Sequence, residues 1–198
     1  MAYVILVGSW AEFAYDEAGL LEGFDSNITT LDVDFLVRNL RRPSPAASLA
    51  VLARSRGFLV ESDVLNGTTK FFDASGLEVE FLIGKMGAGM ESALKTNVGV
   101  TAQALRHTEI LSRSPIEVRC LGHIIAVPTP EAYAVHKMVI NSQRGSKSSK
   151  DAQAIIGLWR FLDKERLEIV LAKLTKRERA RADEFMEEYR LAHQHSSQ

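Results

Sequence analysis

The sequence predicts a mixed α/β fold with a strand-rich first part and a helical last part. Three observations point to it. Short apolar or alternating runs dominate up to Val127, and the apolar period becomes helical after Pro128-Thr-Pro130. The charge divides in the same way: Met1 to Val37 holds seven acids and no Lys or Arg, whereas Lys137 to Ala182 holds twelve bases against five acids, a local +7. The net charge of −1 averages over these opposed halves and therefore does not exclude a polyanionic partner. With 198 residues, 46% of them hydrophobic, the chain can bury a core without disulfides or a structural metal. The expected boundary divides a strand-bearing part, 1–127, from a helical part, 128–198.

The elements follow in order. Tyr3-Val-Ile-Leu-Val7 is a short apolar run ending at Gly8-Ser9 and reads as a buried strand. Trp10 to Leu21 places Phe13, Ala14 and Ala18 at helical spacing, with Ser9 as the expected N-cap. Gly23 to Asn27 is a polar break, and Thr30 to Val37 alternates around Asp32 and Asp34 as a second strand. Arg41-Arg-Pro-Ser-Pro45 reads as a loop leading into a helix at Ala46 to Arg56, stopped by Gly57. Phe58 to Val64 and Thr69 to Asp73 read as antiparallel partners around Asn66-Gly67. Leu77 to Ile83 forms a further strand with Glu78 and Glu80 on one face. The Gly-rich stretch Gly84 to Gly99 reads as an irregular loop with a helical turn near Met90 to Leu94. Ile116 to Leu121 and Ile124 to Val127 read as two strands joined at Gly122. Helices are expected at Pro130 to Asn141, Lys150 to Leu162, Glu165 to Leu174 and Lys176 to about His193. Arg144 to Ser149 reads as a flexible loop, and His193 to Gln198 as a frayed tail.

Several function classes are excluded. A lone Cys120 cannot form an internal disulfide, and no Cys/His set has zinc-finger spacing, so a reducing, cytoplasmic setting is expected. No apolar run approaches the roughly 20 residues of a membrane span. The N-terminal apolar run lacks a basic leader and is followed by Glu12, Asp16 and Glu17, which argues against a signal peptide. Gly84-Lys-Met-Gly-Ala-Gly89 has the wrong glycine spacing for a dinucleotide fingerprint, and Gly145-Ser-Lys-Ser148 lacks the upstream glycine of a P-loop. His136 reads as a helix-packing residue, and Cys120 as a small buried apolar one.

The residues that can carry chemistry are acidic. Asp32 and Asp34 stand two apart on a strand, so both carboxylates project from one face. Such a pair can share a divalent ion, and Mg²⁺ prefers hard oxygen ligands together with substrate phosphates. Spacing alone is weak, since Glu61/Asp63, Glu78/Glu80 and Asp163/Glu165 repeat it. Context strengthens it. Gly8 lets a phosphate approach the backbone, and Ser9 offers a hydroxyl at a helix N-terminus with its free N–H groups. A later strand offers a third carboxylate, Glu80, or Glu78 on the same face.

This order of Gly-Ser, helix, Asp-x-Asp and a distal acid resembles the DNA polymerase β-type nucleotidyltransferase superfamily. Leu6 to Tyr15 followed by Thr30-Leu-Asp-Val-Asp-Phe35 is similar to its AbiEii-like and minimal branches. Pro128 to Lys137, then Arg144 to Asp151, extends the resemblance, which spans about Tyr3 to Ile156. The resemblance implies a mixed β-sheet core flanked by helices, with Asp32 and Asp34 holding Mg²⁺ or Mn²⁺. It implies that Glu80 completes a second metal site and helps activate an acceptor hydroxyl. Gly8 and Ser9 would grip the β- and γ-phosphates, with Thr30 two residues ahead of the first Asp. Lys137 would neutralise phosphate charge, Arg144 and Lys150 would assist, and Asp151 would orient one of these bases.

The sequence also departs from the pattern. Ile28 or Thr29 stands where related sequences often carry Arg, and Glu80 is one methylene longer than the usual Asp. The sequence opens directly on the Gly-Ser strand, without the helix that commonly precedes it; that helix is dispensable, supplied by a partner, or lost from this stretch of chain.

The leading reading is a transfer of a nucleoside monophosphate from an NTP to a hydroxyl on an RNA end, a protein or a small molecule, with release of pyrophosphate. The alternative is a non-catalytic nucleotide- or nucleic-acid-binding module, such as a toxin–antitoxin component with an antitoxin or homodimer partner. No membrane partner is expected.

Overall fold

The computed structural model describes residues 3–26, 30–38, 48–85 and 92–191. They form a seven-stranded mixed sheet, a two-stranded sheet and a set of helices that dominates the C-terminal part. Along the large sheet lie β1 (Val4–Val7), β2 (Asp32–Val37), β5 (Glu78–Gly84), β4 (Thr69–Phe72) and β3 (Leu59–Ser62) in that spatial order. β7 (Thr101–Leu105) joins the C-terminal end of β5 in parallel, and β6 (Ala93–Lys95) pairs antiparallel with β7. β8 (Ile116–Cys120) and β9 (His123–Val127) form the separate hairpin. Its two-residue turn places Leu121 at φ 48° and Gly122 at φ 78°, the left-handed pair that matches the twist of a tight hairpin.

Register decides where the site lies. β1 runs antiparallel to β2 with Val7 opposite Asp34 and Ile5 opposite Leu36. β5 runs parallel to β2 with Asp32 beside Glu78, Asp34 beside Glu80 and Leu36 beside Leu82. Because strand side chains alternate, one sheet face is acidic at the N-terminal ends of β2 and β5 and apolar further along. Ile5, Val7 and Leu36 are buried there with Leu111 of α3 (Glu109–Ser112) and Ala126 of β9, and Leu82 packs against them. The opposite face, with Leu6, Val33, Val37, Val79, Phe81 and Ile83, belongs to a larger core that continues into the C-terminal helices. Each fully buried large side chain there contributes about 1.5–3 kcal/mol.

The helices are α1 (Ser9–Glu17), α2 (Leu49–Ser55), α4 (Pro130–Ile140), α5 (Ser148–Trp159), α6 (Lys164–Leu171) and α7 (Lys176–Glu188), besides α3. α4 is the central one and contacts α3, α5, α6 and α7. Thr129 caps it by accepting a hydrogen bond from the Ala132 N–H, and Pro130 occupies its first turn, where its missing N–H costs nothing. Thr175 and Glu178 close a capping box at the start of α7.

Four sequence expectations need correction. Ser9 is the first helical residue, and Gly8 holds the cap position without a side-chain hydrogen bond. Leu94 lies in β6, not in a helical turn, because that segment finds hydrogen-bonding partners along β7. Met90 falls outside the described residues. β7 has no counterpart among the expected strands: Val98, Val100, Ala102 and Ala104 are buried, and the strand forms because the C-terminal end of β5 is open to it. Arg144 to Ser149, expected as a flexible loop, instead holds a 3₁₀ turn, Gly145–Lys147, and the start of α5 at Ser148, and follows a first 3₁₀ turn at Asn141–Gln143. The Asn141 side-chain amide donates to the Ser148 carbonyl at 2.9 Å and pins them. The Arg41–Pro45 loop, the start of its helix at Ala46, and the tail from His193 fall outside the described residues.

Candidate active site

The acidic end of the sheet face opens into a cleft of roughly 270 Å³ between β2, the start of α1, and the α4–α5 region. Gly8, Ser9, Thr30, Asp32, Asp34, Lys137, Arg144, Lys150 and Asp151 all line it, so the fold gathers residues up to 143 positions apart. Glu80 does not line it, although it stands beside Asp34 across the β2–β5 pairing.

Local structure explains the positions. Gly8 has φ 68° and ψ −160°, a conformation that only glycine adopts without strain. A Cβ built there would lie 2.5 Å from Asp34 Oδ2, so the carboxylate rests against the Gly8 backbone. Thr30 sets the entry to β2: its Oγ1 accepts a hydrogen bond from the Asp32 N–H at 3.1 Å. Asp32 is exposed, whereas Asp34 is half-buried beside Val7.

Opposite the acids, Lys137 and Asp151 form a buried pair. Lys137 Nζ donates to Asp151 Oδ1 at 2.8 Å, and Arg144 Nε donates to Asp151 Oδ2 at 2.8 Å. The Lys137 ammonium also lies 5.0 Å from the centre of the Tyr133 ring and 3.9 Å from Glu12 Oε1, which accepts the Tyr133 hydroxyl. Burial works against the Asp151 carboxylate, but Lys137 and Arg144 hold its pKa below the ordinary range. Asp151 thus fixes two of the bases expected to meet phosphate.

Asp34 behaves in the opposite way. Burial, with Glu80 and Asp32 nearby, raises its pKa to about 6, against the opposing pull of Arg144 and Lys147. The folded chain therefore takes up this proton more readily than the unfolded one. The contribution to stability is fully present below about pH 4 and is lost as the pH rises through about 6. Asp34→Asn is accordingly expected to raise the stability of the ion-free protein at pH 7.5 by roughly 1–3 kcal/mol. Urea unfolding in EDTA measures this, and an unchanged midpoint contradicts it.

The structure adds residues to the cleft that sequence reasoning passed over. Lys147 enters because the 3₁₀ turns carry it to the rim; its spacing of three after Arg144 and four before Asp151 is the signal that pointed there. His136, read as a packing residue, also lines the cleft. Burial, followed by His107, Lys137 and Arg144, drives its pKa down to about 3, so its imidazole is neutral at physiological pH.

A donor set of carboxylates without thiol or imidazole suits a hard divalent ion, and Asp32 and Asp34 present it side by side. Among the described residues, the trio whose ligand atoms all lie within 4.8 Å of one another is a different one, His107, Glu109 and Glu178. Its histidine is already engaged at both nitrogens, with Nδ1 2.6 Å from Glu178 Oε1 and Nε2 3.3 Å from Arg181 Nη1. That trio joins α7 to the β7–α3 turn. Among the described residues, no helix is long and apolar enough to cross a membrane.

No curated protein matches this sequence. Among solved structures, an antigenic nucleotidyltransferase-like protein from Paracoccidioides brasiliensis overlays with a TM-score of 0.44 at 15% identity, over 93% of this chain and 84% of that one. The antibiotic-resistance factor ANT(2'')-Ia overlays with a TM-score of 0.43 at 12% identity, over 98% and 88%. A family model described as nucleotidyltransferase matches residues 1–179, which takes in the sheet, the cleft and most of the helical part. The chain belongs to the nucleotidyltransferase family and is an enzyme of that type, with an NTP as its substrate.

Proposed function

We propose that the chain moves a nucleoside monophosphate from an NTP to a hydroxyl acceptor, with Mg²⁺ or Mn²⁺ bound at Asp32 and Asp34 and pyrophosphate as the leaving product. One observation carries this reading: a single cleft places the carboxylate pair and the Gly8 backbone opposite Lys137, Arg144, Lys147 and Lys150. When bound, the divalent ion supplies charge neutralisation for the triphosphate and polarises the reacting phosphorus. The remaining work falls to positioning and electrostatics. Gly8 and Ser9 offer backbone N–H groups and a hydroxyl to the phosphates at the start of α1. Thr30 holds Asp32 in place, and the bases stabilise the negative charge that accumulates on the departing pyrophosphate.

The acceptor hydroxyl belongs to an RNA end, a protein or a small molecule. The same reading sets the chain in the AbiEii-like, minimal branch, on Thr30 and the order His136-Lys137, Arg144, Lys150-Asp151. Incubation with each α-labelled NTP, Mg²⁺ and total cellular RNA, protein or small-molecule extract tests it. The expected result is label transferred to one acceptor class and lost on adding EDTA. Nucleotide binding without transfer to any class would favour the non-catalytic module instead.

A further inference from the structure

The acidic face of the sheet contains a cation of its own. Lys70 lies on β4 directly across from Glu80, on the same face as Asp34. Its Nζ is 2.6 Å from Glu80 Oε1 and 2.5 Å from Glu78 Oε1, so one ammonium is clasped by both glutamates.

Two further facts agree with this arrangement. Glu80 is not among the residues lining the cleft that contains Asp32 and Asp34, although it stands beside Asp34 across the strand pair. Among the described residues, Asp32, Asp34 and Glu80 also do not bring their ligand atoms within 4.8 Å of one another, as His107, Glu109 and Glu178 do. A carboxylate with two oxygens can serve an ammonium and a metal at once only if it faces both. Glu80 faces Lys70.

We propose that the Lys70 ammonium stands in for the second divalent cation, so that the site takes a single metal ion at Asp32 and Asp34. Lys70 is a positioning residue: its single charge offsets one of the two glutamate charges and holds Glu80 Oε1 in the clasp instead of on the ion. This rests on the reading of Asp32 and Asp34 as metal ligands given above. The longer arm of Glu80 suits the role, since it reaches the β4 lysine across the strand pair.

Mn²⁺ titration followed by electron paramagnetic resonance counts the ions directly. The full chain is saturated in turn with each of the four α,β-methylene nucleoside triphosphates, and protein-bound ions are counted after subtracting the ions held by analogue alone. One Mn²⁺ per complex is expected for the parent protein, two for Lys70→Met, and one for Lys70→Arg, which keeps the clasp. Lys70→Met retains the aliphatic stem on a partly exposed strand position, and its circular dichroism should match that of the parent. Two ions in the parent protein, or one in Lys70→Met, overturns the proposal while leaving the Asp32/Asp34 assignment standing. An Asp32→Ala variant that keeps the parent's ion count shows that the ion lies elsewhere and overturns both.

Discussion

Asp32→Ala and Asp34→Ala are each expected to lower nucleotide transfer by about a thousandfold or more while the fold persists. Both side chains stand on the cleft face of β2, whereas the strand is anchored on its opposite face through Val33 and Val37, which are buried. Asp32 is exposed, so its removal leaves no cavity. Asp34 is held in a position that raises its pKa, so losing its charge relieves the folded state. The combination of lost activity and unchanged or higher thermal stability separates a ligand from a structural residue. Label transfer from the active α-labelled NTP and a thermal melt in EDTA are the two measurements. Either variant transferring at the parent rate removes Asp32 and Asp34 from the metal site.

Lys137→Ala is expected to act on two properties at once. Lys137 and Asp151 are 8% and 4% exposed, and deleting one partner leaves the other charge buried. Such a loss costs about 3–5 kcal/mol, here towards the lower end because Arg144 still reaches Asp151. NTP affinity is expected to fall as well, since a base lining the same cleft as Asp32 and Asp34 is gone. The double variant Lys137→Met with Asp151→Leu separates these effects. Replacing both charges by apolar groups is expected to recover much of the stability but none of the nucleotide affinity. Urea unfolding and equilibrium binding of an NTP read the two separately. A double variant that binds nucleotide as tightly as the parent removes Lys137 from the phosphate site.

The local elements were legible because their signals are local. The alternation around Asp32 and Asp34, the Pro130 start of α4 and the Asn66-Gly67 turn each specify structure through nearby backbone chemistry. The misreadings share a cause. Thr101-Ala-Gln-Ala-Leu105 alternates, but its buried positions are the small Ala102 and Ala104, which favour strands little, and pairing to the C-terminal end of β5 decides the strand. The turns from Asn141 to Lys147 are polar and glycine-containing, as a loop would be. They are ordered by Asn141 on Ser148 and by Arg144 on Asp151.

What the sequence by itself determined is the strand-then-helix order, the placement of Asp32 and Asp34 on one face, and the grouping of bases after Lys137. Those follow from periodicity and composition, which act within a few residues. Only the tertiary structure decided which of these groups are already paired. It locked Lys137 and Arg144 onto Asp151, raised the Asp34 pKa by burying it beside Glu80, and turned Glu80 towards Lys70. For the helical bases the reason is the packing of α5 against α4; for the sheet it is register. The parallel pairing of β2 with β5 and the antiparallel pairing of β4 with β5 set which charges become neighbours, and strand register is a property of the assembled sheet.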